Sequence, residues 1–319
     1  MQMTRRHFLA AAGAGTLALL APAVQAGEAR LLSGAAFGGR WHAVLPPGTA
    51  EPEVRATLGA IVGQIDALFS PYRRDSVLTR LNGHGGTDWQ PVPLEFAGLA
   101  RAAQALHEDS DGSFDPAIGP IVNRFGYGPI TGRVAPFGTL EVREDALRKA
   151  DPALTLDLCG IAKGHALDRI VAALGAAGLG DVLLELGGEV RTLGTHPDGR
   201  DWQVGIENPR PGAARVHGVI APRGRAVATS GHAAQGAAGV THLIDPRRGR
   251  PADMGLLSVT VLAGTAQAAD GLATTLAVLG PEDGPAWAEA RGIAALFLLA
   301  DGPGLRPITT GDFADHILA

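Results

Sequence analysis

An aspartate and a threonine stand four positions apart in Ala268-Ala269-Asp270-Gly271-Leu272-Ala273-Thr274. On a helix, positions i and i+4 share a face, so Asp270 and Thr274 can offer a carboxylate and a hydroxyl to one cation. Both are hard oxygen donors, which suits Mg²⁺ rather than zinc. Backbone oxygens, water or substrate phosphates must then complete the shell. The same spacing also fits a capping or solvated aspartate and a threonine packed in a core.

A second group lies in Asp157-Leu158-Cys159-Gly160-Ile161-Ala162-Lys163-Gly164. Asp157, Gly160 and Lys163 stand where a short strand turns into a helix, and free amides at a helix start favour phosphate. The helix dipole disfavours a lysine there, and an anion bound nearby removes the conflict; a solvent-exposed lysine is the plain alternative. His242, just before Leu243-Ile244-Asp245-Pro246, is of a residue type that can act as a general base near neutral pH, although a lone histidine is more often structural. Asp115 before Pro116 serves equally as a turn cap. No GxGxxG, P-loop or GxSxG signal is present, which removes the usual evidence for Rossmann dinucleotide binding, nucleotide hydrolysis and α/β-hydrolase chemistry.

These residues need a scaffold. The pattern Ala162, Ala166, Ile170, Ala173, Ala177 predicts a helix over Ala162–Ala177, closed by a left-handed Gly178 and followed by a buried strand Val182–Leu186. Further helices are expected over Glu51–Phe69, from Asp75 to Asn82 with Asp75 or Ser76 as cap, and over Glu95–Glu108. A last long helix runs from Thr265 to Leu279, is stopped by Gly280-Pro281, and is followed by another from Pro281 to Arg291. Strands are expected over Phe37–Val44, Trp202–Ile206, Val240–Pro246, Leu256–Ala263 and Ile293–Leu299, with a hairpin joining Val219-Ile220 to Arg225–Thr229. Helices and strands mix without strict alternation, so the fold class is α+β, with mixed sheets and packed helices.

The 319-residue chain is long enough for a sizeable core, and 46% hydrophobic with 18% charged residues is an ordinary globular balance. A net charge of -5 gives no electrostatic case for nucleic acid. One cysteine excludes an internal disulfide framework. Residues 1–26 read as a leader: Arg5-Arg6-His7-Phe8-Leu9, a short apolar run and a small-residue site ending at Ala26. The paired arginines resemble a twin-arginine export signal, so a periplasmic location is expected, with residues 27–319 as the working domain.

Taken in order, the motifs resemble the ApbE family, the FAD:protein FMN transferases. The carriers are Ser70-Pro71-Tyr72 with Asp75-Ser76 and Arg80-Leu81-Asn82; Gly112-Ser113-Phe114-Asp115-Pro116; Asp157 to Gly164; Leu186-Gly187-Gly188; Ala228-Thr229-Ser230-Gly231; His242 to Pro246; and Ala269 to Thr274. The resemblance spans about Phe37 to Leu299 and implies a T-fold-related architecture. It implies that FAD is the substrate and that Mg²⁺ assists transfer of its FMN half to a threonine or serine hydroxyl of an acceptor redox protein, with release of AMP. Under it, Gly160 (through its carbonyl), Asp270 and Thr274 hold the metal. Phe37, Tyr72, Ser113, Phe114, Asp115, Asp157, Lys163 and the Leu243-Ile244 backbone contact FAD, and His242 is the base. It also implies peripheral association with a membrane redox complex. Two places depart from the pattern: Gly231 is followed by His232-Ala233-Ala234-Gln235, and Pro246 by Arg247-Arg248-Gly249. An FAD pyrophosphatase and a non-catalytic periplasmic FAD carrier are the competing readings.

Overall fold

The computed structural model describes residues 29–210, 212–213, 216–231 and 241–318. The leader and the His232–Gln235 departure lie outside them.

Eight strands follow one another in a single antiparallel sheet whose spatial order is also its chain order: β1 (Arg30–Ala36), β2 (Gly39–Leu45), β3 (Val182–Leu186), β4 (Glu189–Leu193), β5 (Ala226–Gly231), β6 (Leu256–Ala263), β7 (Ala294–Asp301) and β8 (Gly304–Thr310). Alternation along the strands splits their side chains between two cores. Val182, Leu184, Leu186, Val259, Val261 and Phe297 face the helices. Leu183, Val190, Leu262, Leu296 and Leu298 face a second cluster with Trp202, Val204, Ile220 and Phe313. That second face is covered by a small sheet of Val204–Glu207, Val216–Ile220 and Ile317–Leu318.

The α-helical spans among the described residues are α1 (Glu51–Phe69), α2 (Val77–Gly83), α3 (Leu94–Asp109), α4 (Gly119–Arg124), α5 (Cys159–Ala176) and α6 (Ala266–Ala290). Ser76 caps α2, its Oγ accepting the Thr79 amide at 2.9 Å. Gly178, at φ 88°, ends α5 as expected, and the Leu179 amide closes back on the Leu174 carbonyl at 3.0 Å. Inside α6, Gly280 leaves helical geometry (φ 83°, ψ -165°) just before Pro281, so the span is two helices separated at the expected break. Asp168 of α5 accepts the Ala266 and Gln267 amides at 2.8 and 2.9 Å, capping α6 and fixing its start against α5. Among the described residues no helix is long and apolar enough to cross a membrane.

The structure corrects four expectations. Val219-Ile220 and Arg225–Thr229 form no hairpin: the first pairs with 204–207 and 317–318, the second with β4 and β6. Ile220 and Val227 instead meet in the second core, each from its own sheet. The strand expected over Val240–Pro246 contracts to Ile244–Asp245, paired with Arg250–Pro251; Val240 lies outside the described residues. The approach to Asp157 is extended but belongs to no sheet, and α5 starts at Cys159 rather than Ala162. The cause is local, because Asp157 Oδ1 accepts the Cys159 amide at 2.9 Å and turns the chain three residues early. Finally, the strand read as Phe37–Val44 is the second arm of a hairpin, with Phe37 (φ 48°) and Gly38 (φ 77°) in its turn.

Candidate active site

The start of α5 is held from two directions. Asn82 at the end of α2 donates to the Leu156 carbonyl at 2.8 Å and accepts the Leu156 amide at 2.7 Å. The Asp157 amide donates to the Pro116 carbonyl at 2.7 Å. Motifs far apart in sequence therefore meet at the segment that delivers Asp157, Cys159 and Gly160. The 110–117 loop is itself tied down: Asp115 Oδ1 accepts the Ala117 amide at 2.7 Å, and Ser110 Oγ accepts the Phe114 amide at 3.0 Å. Burial pushes the Asp115 carboxyl above its ordinary range. Ser113 Oγ is buried without a hydrogen-bond partner, an orphan polar atom in an otherwise satisfied loop.

Gly160 sits in the first turn of α5, between Phe114 and α6. A Cβ there would lie 3.2 Å from Phe114 Cε2 and 3.3 Å from Thr274 Oγ1, so the missing side chain lets Thr274 approach the helix start. One turn earlier on α6, Asp270 is 4% exposed, and its Oδ2 accepts the Gly164 amide at 2.9 Å. Burial raises its carboxyl pKa, opposed by the nearby Lys163 charge. Asp270 and Thr274 thus share the α6 face turned toward α5, beside Gly160.

Lys163 reaches across to the β3–β4 hairpin. Its ammonium meets Glu189 Oε1 at 2.6 Å and the Gly187 carbonyl at 3.4 Å. Burial works against the ammonium's charge, but Glu189 and Asp270 outweigh it and raise the Lys163 pKa. Glu189 is 2% exposed, with Oε2 buried and unpartnered. Burial pushes its carboxyl up to about 8, against the pull of Lys163 and with the Asp270 charge adding to the rise. The conflict between a lysine and a helix start is therefore met by a carboxylate of the protein. Glu189 was missed in the sequence; a charged residue following two glycines and opening a strand of otherwise core-forming positions was the available signal.

The other expected contacts arrange themselves around this centre. Tyr72, 66% exposed, follows α1 and lies near enough to Asp157 and Cys159 to feel their charges. Phe37 packs partly buried against the main core. His242 stacks edge-on against Tyr127 with ring centroids 6.1 Å apart, which links it to the segment following the Asp115–Pro116 loop. Both backbone groups of Leu243 are engaged in its own turn: its amide donates to Thr241 Oγ1 at 3.1 Å, and its carbonyl accepts from Ala252 at 2.9 Å. Ile244 pairs with Pro251. The departure at Arg247-Arg248 is anchored inward, both side chains pairing with the buried Asp245 at 3.2 and 3.4 Å.

The available donors are a carboxylate, a hydroxyl and backbone carbonyls. Among the described residues no group of three His, Cys, Asp or Glu side chains is placed to hold a metal. The site thus offers a hard-oxygen set beside one ammonium and an orphan hydroxyl, which is chemistry for a phosphate ester with a divalent cation.

Comparisons with known proteins identify the family. The profile of the ApbE family matches residues 37–297. An FAD:protein FMN transferase of Vibrio cholerae is 32% identical, covering 93% of this chain and 96% of its own length. Another, from Escherichia coli, is 28% identical over 92% of this chain and 90% of its own. Among solved structures, the flavin transferase ApbE of Vibrio cholerae superposes with a TM-score of 0.83 at 30% identity, covering 91% of this chain and 100% of that one. The apo flavinyl transferase ApbE of Pseudomonas stutzeri gives 0.81 at 33% identity, over 92% and 98%. Sequence and fold agree along nearly the whole length, and the chain belongs to the ApbE family.

Proposed function

We propose that this protein transfers the FMN half of FAD to a threonine or serine hydroxyl of an acceptor redox protein, releasing AMP. The observation that carries the reading is the meeting of Asp270 and Thr274 with Gly160 at the start of α5, one helical turn from Lys163. The curated relatives that share this fold and are named FAD:protein FMN transferases support the direction of the chemistry.

The donor set fits Mg²⁺. Asp270, Thr274 and the Gly160 carbonyl would hold it, and the buried carboxylate supplies the charge that such an ion needs. When bound, Mg²⁺ neutralises pyrophosphate charge and acts as a Lewis acid. The Lys163 ammonium binds the FAD phosphates. Tyr72 offers aromatic surface to the flavin or adenine ring, whereas Phe114 is buried at 4% exposure and packs beside Gly160. Asp115 and Asp157 have one carboxylate oxygen each engaged with backbone amides and orient the groups beside the phosphates. His242 accepts the proton of the incoming hydroxyl, which attacks the FMN-side phosphorus while AMP leaves in line. Most of the rate enhancement then comes from positioning and electrostatics. The leader places this chemistry in the periplasm through the twin-arginine route.

The test is incubation of the leader-less protein with FAD and Mg²⁺, with and without an acceptor redox protein. Covalent flavin on the acceptor, with AMP, is the expected result. AMP without labelled acceptor would make the protein a pyrophosphatase, and unchanged FAD would make it a carrier.

A further inference from the structure

We infer that Glu189 is a positioning residue that holds the Lys163 ammonium in place for the pyrophosphate. The inference rests on the FMN-transfer reading for its purpose, although the contact itself stands in the structure. Lys163 sits in the first turns of α5, where the dipole repels its charge. A lysine stem has about 2 kcal/mol of rotamer entropy to lose when fixed. Left alone, such a side chain turns to water.

Here it is gripped by one hairpin. Glu189 Oε1 lies 2.6 Å from the ammonium and the Gly187 carbonyl 3.4 Å away. Two of the three N–H donors are thereby directed and one is left for a ligand oxygen. The hairpin is stiff at that turn. Gly188 donates to Glu185 Oε1 at 2.8 Å, Glu185 Oε2 pairs with His42 Nδ1 at 2.6 Å, and the Gly187 amide donates to the Arg40 carbonyl at 3.2 Å. Gly187 and Gly188 adopt φ of 63° and 107°, which glycine tolerates without cost. A carboxylate buried at 2% exposure with an orphan second oxygen is expensive to keep for structure alone.

Composition sharpens the point. The chain has two lysines, Lys149 and Lys163, and its other basic side chains besides histidine are arginines. Lys149 is 1% exposed and its ammonium is spent on the Asn82 and Pro152 carbonyls at 3.4 and 3.3 Å. Lys163 alone brings a lysine ammonium to the site.

The test is a double-mutant cycle between Glu189→Gln and Lys163→Met, read as AMP release from FAD with Mg²⁺ and an acceptor redox protein. Glu189→Gln should lower kcat by about tenfold with KM for FAD within about twofold, and add less than about twofold in the Lys163→Met background. Equal losses in both backgrounds, or a wild-type kcat, would overturn the inference. Glu189→Asp, which keeps the carboxyl but shortens the reach by one methylene, should match Glu189→Gln and serves if the latter fails to fold. A readout free of turnover accompanies it: acylation of Lys163 by an amine-reactive ester, followed by peptide mass spectrometry, should speed up at least about fivefold in Glu189→Gln. Unchanged Lys163 reactivity would also overturn it. If wild-type protein releases no AMP but the reactivity shift appears, the proposed function falls and the positioning role stands.

Discussion

The Gly164 amide donates to the Asp270 carboxylate, at 2.9 Å. The helix that carries Lys163 thereby aims the carboxylate of the helix that carries Thr274. The same glycine lets the two helices approach closely, because a Cβ at 164 would overlap the Ala266 carbonyl oxygen and press on the Gln267 Cα. Neither is a flexible group that can move aside cheaply.

Gly164→Ala is accordingly expected to destabilise the protein by about 3 kcal/mol, at the upper end of overpacking costs, and to lower turnover by separating Asp270 from Gly160. Urea unfolding with matched rate measurements checks it. A variant as stable as wild type would mean that the helices are not locked at this point.

Asn82→Ala removes both hydrogen bonds that clamp Leu156 and leaves that backbone without partners. A loss of about 2 kcal/mol follows from the usual cost of unsatisfied buried groups. Because Asp157 and Gly160 hang from this segment, KM for FAD should rise as well. Denaturation midpoints and steady-state kinetics read the two effects separately.

Asp270, Glu189 and Lys163 place two carboxyls and one ammonium in a shared buried neighbourhood, and burial raises both carboxyl pKa values. The extra proton belongs to the group as a whole. For Glu189 the folded value of about 8 stands above its ordinary 4.5. Its contribution to metal-free stability is therefore fully present below about pH 4.5 and lost as pH rises through about 8. A cation bound at Asp270 favours its charged form against the burial that raises its pKa, so Mg²⁺ binding should release protons. Calorimetry in two buffers of different ionisation enthalpy measures this release, and Asp270→Asn should abolish it. That variant should also cut AMP release by about a thousandfold or more while unfolding no earlier than wild type in EDTA, since it removes a costly buried charge.

With two lysines in the chain, amine chemistry becomes a clean probe of the site. Acetylation under native conditions should modify Lys163, spare the buried Lys149, and abolish turnover, and FAD should protect. Peptide mass spectrometry reads both positions, and labelling of Lys149 at the Lys163 rate would contradict the burial assigned to it.

Much of this arrangement was legible in the residues. The i, i+4 spacing of Asp270 and Thr274 placed them on one helical face, and Gly280-Pro281 marked the break in α6. What escaped depends on partners distant in sequence. Neighbouring strands such as 216–220 and β5 look like a hairpin because they are close along the chain, yet their pairing is decided by which sheet buries each face. Asn82 reads as an ordinary end of α2 until Leu156, distant in sequence, supplies its partners. Glu189 reads as a surface charge until Lys163 crosses from α5. The early start of α5 escaped because its signal is one side-chain bond from Asp157 to Cys159, whereas apolar periodicity begins only later.

The central claim is that the FMN half of FAD leaves as a protein adduct. The direct measurement is the ratio of AMP released to flavin bound covalently, counted on denatured acceptor after incubation with FAD and Mg²⁺. One AMP for each covalent flavin is predicted, with both products lost together in Asp270→Asn. AMP accumulating without covalent flavin, or covalent flavin formed at an undiminished rate by Asp270→Asn, would contradict the account.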